Sequence, residues 1–479
     1  MPARTGEEYL QGIRGARNIW MNGEFIGDVV EHPGLRGAAH TLASVYDLQI
    51  ENPDICLGEK PETGEKISLS HIVPRSKEDL YRRHACLKKI AEFSVGLMGR
   101  TPDYLNVTVA GFAGDKEAWG SNGNEAGAEH LEAYHQKLSR EDWCLTHAIV
   151  SPGGDKSLGD APKPNDTVTL HKVGDTEHGI LVRGSKALAT LAPFADELAV
   201  YPRTPMPEGA EAYMLAFSIP MSTPGLKFLC RDSMANPQHN FDHPFSGRFD
   251  EQDAFVIFDD VEIPHNRVFI DGNIAVYNTV MTKTWMPNIM HQTMIRACVK
   301  LKFAWALGRR MAAAVNDQSP ATKQMLGEIW CYAEFANAAI ISSEEKATDQ
   351  GNGFWTPLLE PLFALRCMLP FWFPKVGEYL KLIGSHYLLA APRQTVFADP
   401  ELRRLVDAYL GGAENFTSEE RARIFRLGWD FIGTEMAGRN EQYERFYLGS
   451  GARNLQAVSR IADTEESDRL VDRFLDEEF

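Results

Sequence analysis

The spacing of apolar residues divides the chain into three textures. Residues 1 to about 145 read as helices joined by loops. One helix opens at Ser76-Lys77-Glu78-Asp79, with Ser76 as cap and Asp79 in place of the usual Glu of a capping box. Leu80, Ala85, Leu87, Ile90 and Phe93 then supply its apolar face. Between about 150 and 270 the period shortens toward two. Val168, Leu170, Ile180 and Val182 flank the turn-rich Gly174-Asp175-Thr176-Glu177-His178-Gly179, which predicts a hairpin. Further short strands are expected at 197–201, 212–219, 226–230 and 255–258, divided by turns such as Thr223-Pro224-Gly225 and Pro264-His265-Asn266. After about 275 the helical texture returns, with long Ala/Leu-rich segments at 291–315 and 321–347. A capping box at Thr417-Ser418-Glu419-Glu420 opens a later helix. Helices, a β block and helices again predict an α+β chain.

Composition narrows the class. The 479 residues carry 66 acidic against 49 Lys+Arg side chains, a net charge of −17, so a nucleic-acid partner is disfavoured. The short basic runs Arg82-Arg83-His84 and Arg403-Arg404 read as solvated helix faces. Seven widely spaced cysteines include no CxxC, which points to reduced thiols rather than a zinc ribbon or redox pair. The N-terminal residues lack an apolar core of a secretory signal. No run reaches the roughly 18 apolar residues of a membrane-spanning helix. A cytoplasmic protein is the expectation.

Absent motifs remove several chemistries. There is no phosphate-binding GxxxxGK[ST], no GxGxxG between strand and helix, no HExxH and no GxSxG. In Glu129-His130-Leu131-Glu132 with His135 the two imidazoles lie five apart, about 500° round a helix, so they do not share a face. Three other residues form a possible constellation. Arg100 and Tyr104 lie four apart in Gly99-Arg100-Thr101-Pro102-Asp103-Tyr104, where Pro102 suits a first helical turn. A guanidinium and a phenol aimed at one point can clamp an anionic oxygen. The residues alone leave open the plainer alternative of a helix-capping Arg100 and a core Tyr104. His147 precedes Ser151-Pro152-Gly153-Gly154, a position where backbone amides can approach a ligand. Asp259-Asp260 in an apolar strand are expected on opposite faces, hence structural rather than metal-binding. His291 and Cys298, seven apart on a helix, read as core.

These pieces, in order, resemble the flavin-dependent 4-hydroxyphenylacetate 3-monooxygenase family, the oxygenase components of two-component phenol hydroxylases. The resemblance covers nearly the whole chain. It runs from Arg4-Thr5-Gly6-Glu7-Glu8-Tyr9, His32-Pro33 and Tyr46-Asp47-Leu48 through Met98 to Tyr104 and Thr146-His147-Ala148. It continues in Ala195-Asp196-Glu197, Phe241-Asp242-His243-Pro244 and Phe258 to Phe269, and ends in Arg439 to Gly449. It implies an acyl-CoA dehydrogenase-like fold: an N-terminal helical domain (1–145), a central antiparallel β-barrel (146–274), and a C-terminal helical bundle (275–479) that carries flavin contacts and assembles homotetramers or homodimers. It further implies FAD, supplied as FADH2 by a separate NAD(P)H:flavin reductase, with O2 as co-substrate and no metal. A C4a-hydroperoxyflavin would hydroxylate a phenol ortho to its hydroxyl. The absent Rossmann motif agrees with reduction by a partner.

By the same resemblance, Arg100, Tyr104 and His147 would be catalytic and hold the phenolic oxygen, and Arg203 and Thr204 would face the para substituent. Flavin contacts would come from His147, Ala148, Ile149, Gly153, Lys156, Thr190, Leu448, Gly449, Ser450 and Gly451. The chain departs from the family at 153–156, which reads Gly-Gly-Asp-Lys where relatives carry bulkier side chains. Its Thr190–Ala195 loop is one residue longer than in phenylacetate hydroxylases, and it has Arg203 where they carry a small hydroxyl residue. Halophenol, nitrophenol and biosynthetic aryl substrates are alternatives within the family. A 4-hydroxybutyryl-CoA dehydratase-like lyase shares the His291/Cys298 spacing, yet its other two cysteines would fall at Arg100 and Tyr104. Acyl-CoA dehydrogenase activity is a further alternative, although the sequence assigns no residue as its catalytic carboxylate, and a helical scaffold would leave the Arg100/Tyr104/His147 set unexplained.

Overall fold

The computed structural model describes residues 3–15, 17–60, 64–153, 162, 166–202, 205–236, 240–413 and 415–475. Local signals placed several elements well. Ser76 caps the helix Lys77–Phe93 by accepting from the Asp79 amide at 3.1 Å. Pro102 opens the helix Pro102–Ala113. Thr417 and Glu420 form both halves of a capping box at the head of Ser418–Ile432. The hairpin at 174–179 joins antiparallel strands His171–Asp175 and Gly179–Thr190.

The β block is mixed with helix, as expected, but its described strands form two separate sheets rather than one closed barrel. The six-stranded sheet runs, in spatial order, Glu24–Phe25, Ile19–Met21, Leu226–Cys230, Asp253–Pro264, Gly179–Thr190 and His171–Asp175. The four-stranded sheet runs Val268–Asp271, Leu215–Pro220, Glu197–Val200 and Leu145–Ala148. Neither is purely antiparallel: Ile19–Met21 pairs parallel with Leu226–Cys230, and Leu145–Ala148 parallel with Glu197–Val200. The first sheet thus recruits strands from the N-terminal segment. Such a pairing of remote segments leaves no local sequence signal.

Asp259 and Asp260 depart from simple alternation. A register shift between Phe258 and Val261, with Asp260 at φ 53°, makes a bulge that exposes both side chains. Each then meets a cation across the sheet, Asp259 with Lys227 and Asp260 with Arg183. Their structural reading stands; the opposite-face expectation does not.

The long helices Met286–Ala314, Pro320–Glu345 and Leu359–Gly384 pack side by side, and the first also packs on Pro102–Ala113. It is buried almost continuously from Pro287 to Leu301, the pattern of a central helix. Among the described residues no helix is long and apolar enough to cross a membrane.

Candidate active site

The head of the Pro102–Ala113 helix, the end of the strand Leu145–Ala148 and the helix Glu435–Phe446 converge on one buried point. Arg100 sits there, 8 % exposed, with its backbone amide donating to Glu251 Oε1 at 2.6 Å. Its guanidinium carbon lies 4.0 Å from the centre of the Tyr104 ring, 4.5 Å from Tyr447 and 5.6 Å from Tyr443. Stacking of this kind suits a planar, weakly hydrated guanidinium. Tyr104 in turn meets His147 edge-on, ring centres 5.5 Å apart. His147 Nδ1 shares a hydrogen bond with the Tyr201 hydroxyl at 2.8 Å. Phe112 and Trp285 close the aromatic wall around Tyr201.

Protonation follows from burial. Desolvation alone would lower the Arg100 pKa, but Tyr104, Tyr443, Tyr447 and Glu251 outweigh it and the guanidinium stays charged. Burial raises the Tyr104 phenol, with Arg100 only partly offsetting it, so the hydroxyl is retained. Burial, and then the charge of Arg100, push His147 well below its ordinary value. The cluster therefore presents one fixed cation, one neutral phenol and one neutral imidazole, complementary to a single oxyanion.

Two ionic networks hold this arrangement. Arg439 donates to Asp253 at 2.9 and 2.6 Å and to Glu251 at 2.8 Å, and lies over the Tyr443 ring at 4.5 Å. Thr190 Oγ1 donates to the same Asp253 at 2.7 Å, while its carbonyl accepts from Thr146 Oγ1 at 2.6 Å. The expected flavin threonine is thereby tied to Arg100 through Asp253, Arg439 and Glu251. In the second network Glu444 accepts a forked pair from Arg296 at 2.8 and 3.0 Å and a third bond from Lys300 at 2.8 Å. Such fully paired buried charges fix geometry.

The structure thus brings Arg100, Tyr104 and His147 together. Leu448, Gly449, Ser450 and Gly451 follow directly on Tyr447, beside the clamp, and Gly449 takes φ 89°. Ile149 and Gly153 line a cavity just past the His147 strand, and Ala148 is buried within that strand. Lys156, Arg203 and Thr204 lie outside the described residues. His291 is core, as read, although its partners are Glu344 and Arg83 rather than Cys298. With His84 and Glu344 it forms a trio whose ligand atoms lie within 4.8 Å of one another. One oxygen, Glu344 Oε1, already accepts from both imidazoles, and the fully buried Arg83 guanidinium stands alongside.

Sequence reasoning missed Tyr201, Glu251, Asp253, Trp285 and the roles of Arg439, Tyr443 and Tyr447. One signal was present: Arg439, Tyr443 and Tyr447 are spaced by four, hence on one helix face. Gly99 matters for the same reason. A β-carbon there would stand 2.3 Å from the Tyr443 hydroxyl and 2.6 Å from its ring. Gly99→Val is expected to push Tyr443 off the clamp, lowering kcat/KM at least tenfold while circular dichroism stays native. Unchanged kinetics would remove Tyr443 from the site.

Comparison with known proteins covers nearly the whole chain. The family models for the 4-hydroxyphenylacetate 3-hydroxylase N terminal and C terminal match residues 5–270 and 278–476. The 4-hydroxyphenylacetate 3-monooxygenase oxygenase component of Thermus thermophilus is 34 % identical, over 99 % of this chain and 98 % of its own. The 4-nitrophenol 2-monooxygenase oxygenase component of a Rhodococcus species is 29 % identical over 93 % of this chain and 86 % of its own. A crystal structure of a 4-hydroxyphenylacetate 3-monooxygenase oxygenase component complexed with FAD and 4-hydroxyphenylacetate superposes with a TM-score of 0.93. It has 33 % identity and covers 99 % of this chain and 98 % of that one.

Proposed function

This chain belongs to the 4-hydroxyphenylacetate 3-hydroxylase family, and from that premise we propose how its residues carry out FAD-dependent aromatic hydroxylation. The chain is the oxygenase component of such a monooxygenase, using FAD and O2. The observation that carries the assignment of roles is the packing of the Arg100 guanidinium on the Tyr104 ring with the His147 ring edge-on to it, which gathers one cation and two neutral polar groups in one buried place.

The surroundings suit a flavin. Arg100 Nε, Tyr443 Oη and Trp285 Nε1 are buried without a protein hydrogen-bond partner. Buried polar groups are seldom left so unless a ligand completes them. We assign the flavin to the space bounded by His147 to Ile149, Gly153, Thr190 and Leu448 to Gly451. Reduced FAD, when bound, activates O2 so that one oxygen atom goes to the aromatic ring and the other leaves as water.

The protein's own part is to prepare the phenol. Arg100 holds the phenolic oxygen as an anion, and Tyr104 donates to the same oxygen. His147 is fixed by Tyr201; with the Tyr201 hydroxyl donating to Nδ1, the imidazole carries its proton on Nε2 and donates it to the phenolate as well. Stabilised phenolate pushes electron density onto the ring carbon ortho to it, which is where oxygen is received. The aromatic wall of Phe112, Tyr201 and Trp285 excludes water.

The remaining features of the reading rest on family resemblance and composition. We take the chain as three parts, 1–145, 146–274 and 275–479, with a separate flavin reductase as partner. Exposed Trp330 and Phe335 on one long helix, and Phe371 and Leu382 on the next, favour a homotetramer or homodimer joined through the last part. The test is to supply chemically reduced FAD, oxygen and 4-hydroxyphenylacetate to the purified protein. The expected product is 3,4-dihydroxyphenylacetate, with none when NADH and oxidised FAD replace the reduced flavin. Absence of any hydroxylated product from a panel of phenols would overturn the reading.

A further inference from the structure

One buried cation has no counter-charge. Lys186, on the strand Gly179–Thr190, is 4 % exposed, and no hydrogen bond or ion pair joins its ammonium to any described residue. The other buried lysine among the described residues, Lys300, is paired with Glu444. Burial lowers the Lys186 pKa to about 8, which still leaves it largely protonated at neutral pH. A lone buried ammonium is costly and is kept when an anion arrives to meet it.

Lys186 lines a cavity of about 70 Å³ together with Ile149, Ser151, Thr169, Pro202 and Tyr213. Among the described residues that line it there is no carboxylate. The cavity also lies close to the phenol clamp along the chain. His147 pairs with Ala199 and Ala148 with Val200 in parallel register. Just past the ends of those two strands, Ile149 stands two residues beyond His147, and Pro202 follows directly on Tyr201, the hydrogen-bond partner of His147. Two residues of chain span at most about 7 Å, comparable with the reach from a phenolic oxygen across the ring to its para substituent. Pro202 is itself fixed, since its carbonyl accepts from the buried Tyr277 hydroxyl.

We propose that Lys186 recognises a carboxylate on the para side chain of the phenol, and so sets a preference for acidic over neutral substrates. This rests on the reading that Arg100, Tyr104 and His147 hold the other end of the same ring. Ile149 and Gly153, which line this cavity, also border the space assigned to the flavin, so a phosphate of the flavin is the other source of an anion, and the experiment separates the two.

Wild type, Lys186→Met and Lys186→Arg are compared on 4-hydroxyphenylacetate and on the neutral 4-hydroxyphenylacetamide, with the dissociation constant of reduced FAD measured alongside. A charge-assisted hydrogen bond is worth roughly tenfold to a hundredfold in binding. The ratio of kcat/KM for acid over amide is therefore expected to fall by that factor in Lys186→Met, through KM, and to be largely restored in Lys186→Arg. Ligand-free Lys186→Met is expected to melt at a higher temperature than wild type, because an unpaired buried charge has gone. An unchanged acid-to-amide ratio overturns the proposal. So does weaker binding of reduced FAD without a change in that ratio, which would assign Lys186 to a flavin phosphate. If wild type hydroxylates neither compound, the functional reading itself fails, and this inference with it.

Discussion

Arg100→Met is expected to lower kcat roughly 10²- to 10³-fold, the usual cost of removing one donor from a preorganised oxyanion site. Methionine keeps much of the apolar stem between the Tyr104, Tyr443 and Tyr447 rings, so the variant should fold and retain its secondary structure. The cause of the loss is checked by pH. Without the guanidinium the substrate must ionise unaided, and a free phenol does so near pH 10, as a tyrosine does. The activity of Arg100→Met should therefore climb steeply between pH 7 and about 10, while the wild-type rate changes far less. A variant of near wild-type activity, or one equally impaired at every pH, would mean that Arg100 does not stabilise the phenolate.

His147→Ala is expected to cost a comparable factor, roughly 10²-fold or more, and it makes a second statement about charge. Burial and Arg100 hold the His147 pKa well below its ordinary value, so the imidazole is neutral throughout the neutral range. The wild-type pH–rate profile should then show no inflection near 6.5, where an unperturbed histidine titrates. Stability has a definite sign as well. The unfolded chain takes up a proton on His147 below about pH 6.5 and the folded chain does not, so stability is lost as pH falls below that value. His147→Ala removes this one contribution and should lose less stability than wild type between pH 6.5 and 5. A clear rate inflection at the ordinary histidine value would contradict the assigned neutral role.

What could be read from the sequence was what local chemistry determines. Ser76, Pro102 and the Thr417/Glu420 box act within a few residues, and each begins a helix where expected. The clamp residues were legible because the spacing of Arg100 and Tyr104 and the placing of His147 fitted a family pattern. The surrounding shell was not. Glu251, Asp253 and Arg439 act across about 190 residues of chain, and a charge in a strand or helix looks solvent-facing until its partner is known. The same holds for Lys186, a charged strand residue that nothing in the local sequence marks as buried. The expected barrel is not found among the described strands for a related reason: alternation predicts strands but not whether a sheet closes, and here Ile19–Met21 joins one sheet from outside the β block. The bulge at Asp260 needs a positive φ that an Asp-Asp pair does not announce.

The central claim is that the protein binds its phenol as a phenolate held by Arg100, Tyr104 and His147. Ultraviolet difference spectroscopy of 4-hydroxyphenylacetate bound anaerobically to the protein with reduced FAD, recorded across pH, tests it most directly. The account predicts a phenolate spectrum at neutral pH, with ionisation of the bound substrate well below the value of about 10 for the free phenol, and loss of that shift in Arg100→Met. A bound substrate that remains protonated until the pH at which the free phenol ionises would contradict it.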